Sequence, residues 1–131
     1  MSEPKVFISH SRGDSEWVRQ FAEALRKQDV DVWIDEWQIK PGDLLQEKIE
    51  DGLRSSDAIV SVLTRSNAQS PDVAFEFGAA IGMGKRFIPI ISADVETAAI
   101  PPAYRRRRYL TLGEPEEAAR EVAQALKEDA T

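Results

Sequence analysis

Short apolar runs alternating with amphipathic helical patterns leave few folds open to this chain. Runs too short and too β-branched for helices read as strands buried on both faces, and helices between them supply the crossovers of a parallel sheet. Five strands are expected, at residues 5–9, 31–35, 57–64, 86–91 and 108–112. The third is the longest and most β-branched, as a central strand would be, while Pro89 lacks an N–H and argues against a complete ladder on the fourth. Trp17, Val18, Phe21, Ala22 and Leu25 line one face of a first helix, which Asp14 or Ser15 can cap. Leu45, Ile49 and Leu53 mark a second, with Asp43 and Gln46 at capping-box spacing. A third is expected over 71–83, with Ser70 to cap it, Pro71 suited to its first turn and Gly84 to its stop. The last, over 115–128, buries Ala119, Val122, Ala123 and Leu126. Residues 92–107 are the least regular stretch, with room for a short helix.

Strand, helix, strand in this order gives right-handed crossovers, so the expected fold is α/β: a flavodoxin-like, doubly wound, five-stranded parallel sheet with helices on both faces. At 131 residues one such domain fills the chain, with its core over about 5–128. Sheets of this kind bind ligands beyond the carboxyl ends of the strands, where the strand order reverses. In the common five-stranded order that place lies between the first and third strands. The loops concerned are Ser9-His10-Ser11-Arg12-Gly13 on one side and Arg65-Ser66-Asn67 on the other, with Asp35-Glu36-Trp37 beside them. The first four also make a polar turn leading into Asp14.

What chemistry the site can hold is narrowed by what is missing. The chain has no cysteine and a single histidine, His10, so disulfides, thiolate nucleophiles and the usual transition-metal sites are disfavoured, and carboxylates become the main candidates for electrostatic work. A net charge of −6 and a pI near 4.9 argue against general nucleic-acid binding; the local exception, the arginines at 105–108, reads as a solvated run flanking the fifth strand. No apolar run approaches a membrane span and the N-terminus lacks a secretory layout, so the expectation is a soluble cytoplasmic protein without membrane partners.

One carboxylate is out of place. The stretch Val73-Ala-Phe-Glu-Phe-Gly-Ala-Ala-Ile-Gly-Met-Gly84 is apolar on nearly every side, so burial of most of its circumference is expected, yet it contains Glu76. Neither a Lys nor an Arg stands three or four residues away to pair with it. Burying an unpaired carboxylate costs several kcal/mol, roughly, unless another element supplies donors. Two readings remain: a helix-edge glutamate bonded to a neighbouring loop, or a functional group in a cleft at the switch point. Gly78 and Gly82 are expected to permit close packing of this helix, and Gly82-Met-Gly-Lys85, at the anion-repelling end of it, is not a phosphate loop.

Several motifs, in order, resemble the TIR (Toll/interleukin-1 receptor) family in its bacterial style. They are Val6-Phe-Ile-Ser-His-Ser11 with Asp14 after it, Val32-Trp-Ile-Asp35, the loop ending Lys40-Pro-Gly-Asp43, Ser56-Asp-Ala-Ile-Val60, and Ser70-Pro-Asp-Val-Ala-Phe-Glu-Phe-Gly-Ala-Ala80 leading into Gly84-Lys-Arg-Phe-Ile-Pro-Ile90. The resemblance implies cleavage of the nicotinamide glycosidic bond of NAD, giving ADP-ribose or a cyclic isomer, with Glu76 catalytic and NAD a substrate rather than a cofactor. Ser9, His10, Ser11, Arg12, Asp35, Trp37, Ser66, Ser70 and Asp72 are the expected substrate-binding residues. Asp72 stands where the family commonly has Trp, placing a second negative charge one turn before Glu76.

The loop containing Trp37, Ile39, Lys40, Pro41, Gly42 and Asp43 resembles the family's self-association loop. The resemblance therefore implies other TIR domains as partners, in a homo-oligomer or filament, and a setting in bacterial defence or effector signalling. Trp37 suits stacking on a base or packing on a partner, or else packing within its own domain. Trp33, inside its strand, is expected in the core. The rival reading is a non-catalytic adaptor working by TIR–TIR contact. A phosphoaccepting receiver shares the fold class, but Ser-His-Ser occupies the place of its paired acidic residues.

Overall fold

The computed structural model describes residues 3–34, 40–68 and 71–129, without the side chains of Arg12, Leu45, Gln46, residues 71–76, Ala103 and Asp129. Within these residues the chain runs β1 (Lys5–Ser9), α1 (Ser15–Lys27), β2 (Asp31–Trp33), α2 (Leu45–Ser55), β3 (Ala58–Leu63), α3 (Pro71–Gly82), β4 (Arg86–Ile91), α4 (Pro102–Arg105), β5 (Leu110–Thr111) and α5 (Pro115–Asp129). Short 3-10 turns occupy Arg12–Asp14 and Thr97–Ala99. The strands form one parallel sheet ordered β2-β1-β3-β4-β5. The order reverses between β1 and β3, where the common five-stranded order places the switch point.

Strand alternation divides the interior into two cores, one on each face of the sheet. Val6, Ile8, Val60 and Val62 point to the side covered by α1 and α5, where Phe21, Leu25, Val122 and Ala123 meet them. Phe7, Ile59 and Leu63 point to the other side and pack with Trp33, Leu53, Phe87 and Tyr104. Trp33 is a core residue, as expected, its indole stacked on Phe7 with ring centroids 4.6 Å apart. On the first face Trp17 lies against Phe21 and donates its indole N–H to the Gly113 carbonyl at 2.7 Å, tying α1 to the turn before α5.

Strands β1 and β4 keep the boundaries read from sequence, while β2, β3 and β5 are shorter. For β5 the limit is visible at Pro89. Strand β4 pairs with β3 from Arg86 to Ile91 but with β5 only at Ile90 and Ile91, beyond the residue that has no N–H to give. Helix α3 ends as anticipated: Gly84 has φ +70°, its N–H bonds to the Ile81 carbonyl, and the Lys85 N–H bonds to the Ala80 carbonyl, a Schellman stop.

Several local expectations are corrected. Asp14 occupies the N-cap of α1 but makes no side-chain cap bond. The capping box at α2 does not form either: Leu44 is the N-cap, and Asp43 turns back to accept the Lys40 N–H at 2.9 Å, closing a turn with Gly42 at φ +93°. Over its described side chains, from Phe77 on, helix α3 is not buried round most of its circumference. Ala80 is fully buried, but Gly78 and Gly82 are exposed and Ile81 and Met83 are 46% and 40% exposed. Nor do the two glycines permit a close contact, since a Cβ on either would meet nothing within 4 Å among the described residues.

Candidate functional site

At the switch point the carboxyl ends of β1 and β3 lie side by side, with Ser9 in register with Ser61. The chain then leaves β1 through His10 and Ser11 into the 3-10 turn, and leaves β3 through a turn at 64–67. These two turns meet in a compact polar network. Ser11 Oγ donates to Asp14 Oδ2 at 2.6 Å, and Thr64 Oγ1 donates to the same oxygen at 2.9 Å. Ser66 Oγ stands 2.9 Å from Ser11 Oγ and 2.8 Å from Thr64 Oγ1, closing the cluster.

The turn carrying Ser66 is held by one buried side chain. Asn67 Oδ1 accepts the Thr64 N–H at 2.9 Å, its Nδ2 donates to the Val62 carbonyl at 3.0 Å, and its own N–H bonds back to the Thr64 carbonyl. An Asn at this place bonds one backbone donor and one backbone acceptor at the carboxyl end of β3. Asn67→Ala orphans both, so a loss of about 1–3 kcal/mol in thermal or denaturant unfolding is expected. Asn67→Asp sets a carboxylate oxygen against the Val62 carbonyl oxygen, so a loss at least as large is expected for it.

Beyond the carboxyl ends of β3 and β4 a cavity of about 750 Å³ opens, lined by Arg65, Ser66, Ala68, Asp94, Val95 and Glu96 among others. Ser66 thus faces both the network and the cavity. A second cavity, about 500 Å³, is bounded by Arg86, Arg107, Arg108 and Glu121. It lies at the amino end of β4, away from the switch point. Arg107 is not simply solvated: its guanidinium sits over the Phe77 ring, 5.1 Å from the centroid. Arg105, Arg106 and Arg108 are exposed, as a solvated run would be.

Of the residues singled out in the sequence, Ser11 and Ser66 are brought into hydrogen-bond contact, and Ser9 and His10 lie at the same strand end, buried and half-buried respectively. Lys40, Pro41, Gly42 and Asp43 form an exposed turn, followed by Leu44 at 66% exposure. Asp35, Trp37, Ile39 and Ser70 lie outside the described residues, as does the Arg12 side chain. Asp72 and Glu76 are placed by backbone alone, on α3. Glu76 immediately precedes Phe77, whose ring is fixed by Phe87 at 4.9 Å and Tyr104 at 5.6 Å, and stands one turn before buried Ala80. The sequence reading placed Arg65 in the switch-point loop but missed Asp14 and Thr64 as network members, and Asp94 and Glu96 as cavity residues. The only local signal was the Thr64-x-x-Asn67 spacing, which fits a side-chain-closed turn.

A family model described as the TIR domain matches residues 6–128. Among characterised proteins, the chain is 50% identical over 52 residues to the 2′ cyclic ADP-D-ribose synthase AbTIR of Acinetobacter baumannii, covering 39% of this chain and 19% of that one. It is 41% identical over 61 residues to the NAD(+) hydrolase TcpA of a Theionarchaea archaeon, covering 46% and 21%. The matches therefore span about a fifth of the length of these relatives. Among solved structures, the TIR domain of the Toll-related receptor TRR-2 from Hydra magnipapillata superposes with a TM-score of 0.72 at 21% identity, covering 95% of each chain, which bears on the fold. With the doubly wound sheet, its strand order and a family match over nearly the whole chain, this protein belongs to the TIR domain family.

Proposed function

We propose that this TIR domain cleaves the nicotinamide glycosidic bond of NAD, releasing nicotinamide with ADP-ribose or its cyclic isomer, and that Glu76 is the residue acting on the reacting ribose. The observation carrying this reading is the position of Glu76. It is placed on the helix that leaves the carboxyl end of β3 at the switch point, in a family whose members named above make cyclic ADP-ribose or hydrolyse NAD. Nicotinamide departs from a cationic pyridinium, so no acid is needed to protonate the leaving group. A single carboxylate then suffices to hold the ribose hydroxyls and stabilise the oxocarbenium-like transition state, the role one carboxylate plays in a glycosidase.

Self-association through the loop of Trp37, Ile39, Lys40, Pro41, Gly42 and Asp43 completes the proposal, in a cytoplasmic protein of bacterial defence or effector signalling. The absence of cysteine agrees with a reducing compartment, and among the described residues no helix is long and apolar enough to cross a membrane. Nicotinamide release per chain is expected to rise with protein concentration. A rate per chain independent of concentration would remove the self-association step. The adaptor reading is favoured by one feature, the exposure of Leu44 beside that loop and of Ile81 and Met83 at the end of α3; it takes over if association occurs and NAD stays intact.

A further inference from the structure

Counting hydrogens in the polar network shows which way it faces. A serine or threonine hydroxyl has one hydrogen and two lone pairs. Ser11 and Thr64 both give their hydrogens to Asp14 Oδ2. Neither has one left for Ser66, so in those contacts, 2.9 and 2.8 Å long, the hydrogen must come from Ser66 and goes to one of the two. The network therefore consumes every hydroxyl hydrogen it owns. Ser66, exposed and on the cavity wall, has only lone pairs to offer a ligand.

The rest of the wall sharpens this polarity. The carboxylates of Asp94 and Glu96 line the same cavity and are acceptors; the Asp94 carboxylate already takes the Ser92 hydroxyl. Arg65 is the strong donor among the lining residues, exposed and without an ion pair or hydrogen-bond partner among the described residues. A diphosphate carries no hydrogen to donate, so it is repelled by the Ser66 lone pairs and attracted by the Arg65 guanidinium. A sugar hydroxyl is the opposite case. On the basis of the NAD-cleaving reading above, we propose that Ser66 is a specificity residue that accepts a hydrogen bond from a ribose hydroxyl of the dinucleotide, and that Arg65 beside it takes the diphosphate.

The test measures binding of ADP-ribose, which keeps both riboses and the diphosphate but has no nicotinamide to lose, and of inorganic pyrophosphate, which has no sugar. Ser66→Ala is expected to weaken ADP-ribose about 3- to 10-fold while leaving pyrophosphate within about 2-fold, because one neutral hydrogen bond is lost from the sugar alone. Ser66→Thr, which keeps the hydroxyl, restores ADP-ribose binding. Arg65→Gln weakens both ligands. The proposal is overturned if Ser66→Ala weakens pyrophosphate as much as ADP-ribose, which would make Ser66 a phosphate donor, if it leaves ADP-ribose binding unchanged, or if the wild type binds neither ligand. Nicotinamide release from NAD, followed in the same samples, separates the two ideas. The expected binding pattern without release keeps the cavity assignment and removes the reaction, whereas release that persists in Ser66→Ala with unchanged ADP-ribose affinity removes the cavity assignment alone.

Discussion

Glu76→Gln is expected to lower nicotinamide release from NAD by at least about 100-fold, the scale on which removing one electrostatic stabiliser of a transition state acts. The substitution is nearly isosteric, changes helix propensity little, and removes the negative charge that an oxocarbenium-like centre requires. The melting temperature of the variant should stay close to that of the wild type, and ADP-ribose binding should fall far less than turnover, since the lost interaction is made chiefly in the transition state. A variant that unfolds, or that binds ADP-ribose as poorly as it turns over NAD, would assign Glu76 to structure or to uniform binding. Preserved turnover would exclude it from the chemistry.

Gly52→Ala is expected to cost about 1–3 kcal/mol of stability, although glycine to alanine inside a helix ordinarily gains up to about 1 kcal/mol. Gly52 lies on α2 against Trp33. A Cβ there would stand 2.5 Å from Cε2, 2.6 Å from Cδ2 and 2.9 Å from Nε1 of the indole. The ring cannot retreat easily, because its other face is stacked on Phe7 with an interplanar angle of 11°. Overpacking therefore outweighs the propensity gain. Gly78→Ala on α3 supplies the control: nothing described lies within 4 Å of the added atom, so the same substitution should stabilise the fold by about 0.5–1 kcal/mol. Equilibrium denaturation of the two variants should give shifts of opposite sign, and a stabilised Gly52→Ala would contradict the packing described.

These opposite signs show where a sequence is legible and where it is not. The run at 5–9 and the run at 86–91 carry their own evidence, because apolar β-branched residues flanked by polar ones have few other uses, and both strands keep their predicted bounds. Pro89 likewise announced an incomplete ladder, and β5 pairs with β4 only past it. Apolar character alone could not say what covers α3. The sheet offers one side to each helix, so Phe77 and Ala80 pack while Gly78, Ile81 and Met83 face outward. Asp14 was legible as a polar residue before a helix, but its carboxylate has two possible employments. The one it takes depends on Thr64, 50 residues away, which no local pattern reports.

The candidate site was legible in outline through its topology. A βαβ alternation sets the strand order, the order sets the switch point, and the switch point selects the loops at 9–13 and 64–67. Ser11 and Ser66 do meet there. The cavity residues Asp94 and Glu96 were not legible, because they belong to the irregular stretch after β4 and reach the site only through the sheet's order. Topology put Arg65 in the switch-point loop, but its part in the cavity depends on the lone pairs beside it.

Clustering the wild-type chain at high local density, incubating it with NAD and quantifying free nicotinamide shows whether this TIR domain breaks the nicotinamide glycosidic bond. Nicotinamide is expected to accumulate together with an equal amount of ADP-ribose or its cyclic isomer. Intact NAD after prolonged incubation of folded, associated protein would contradict it.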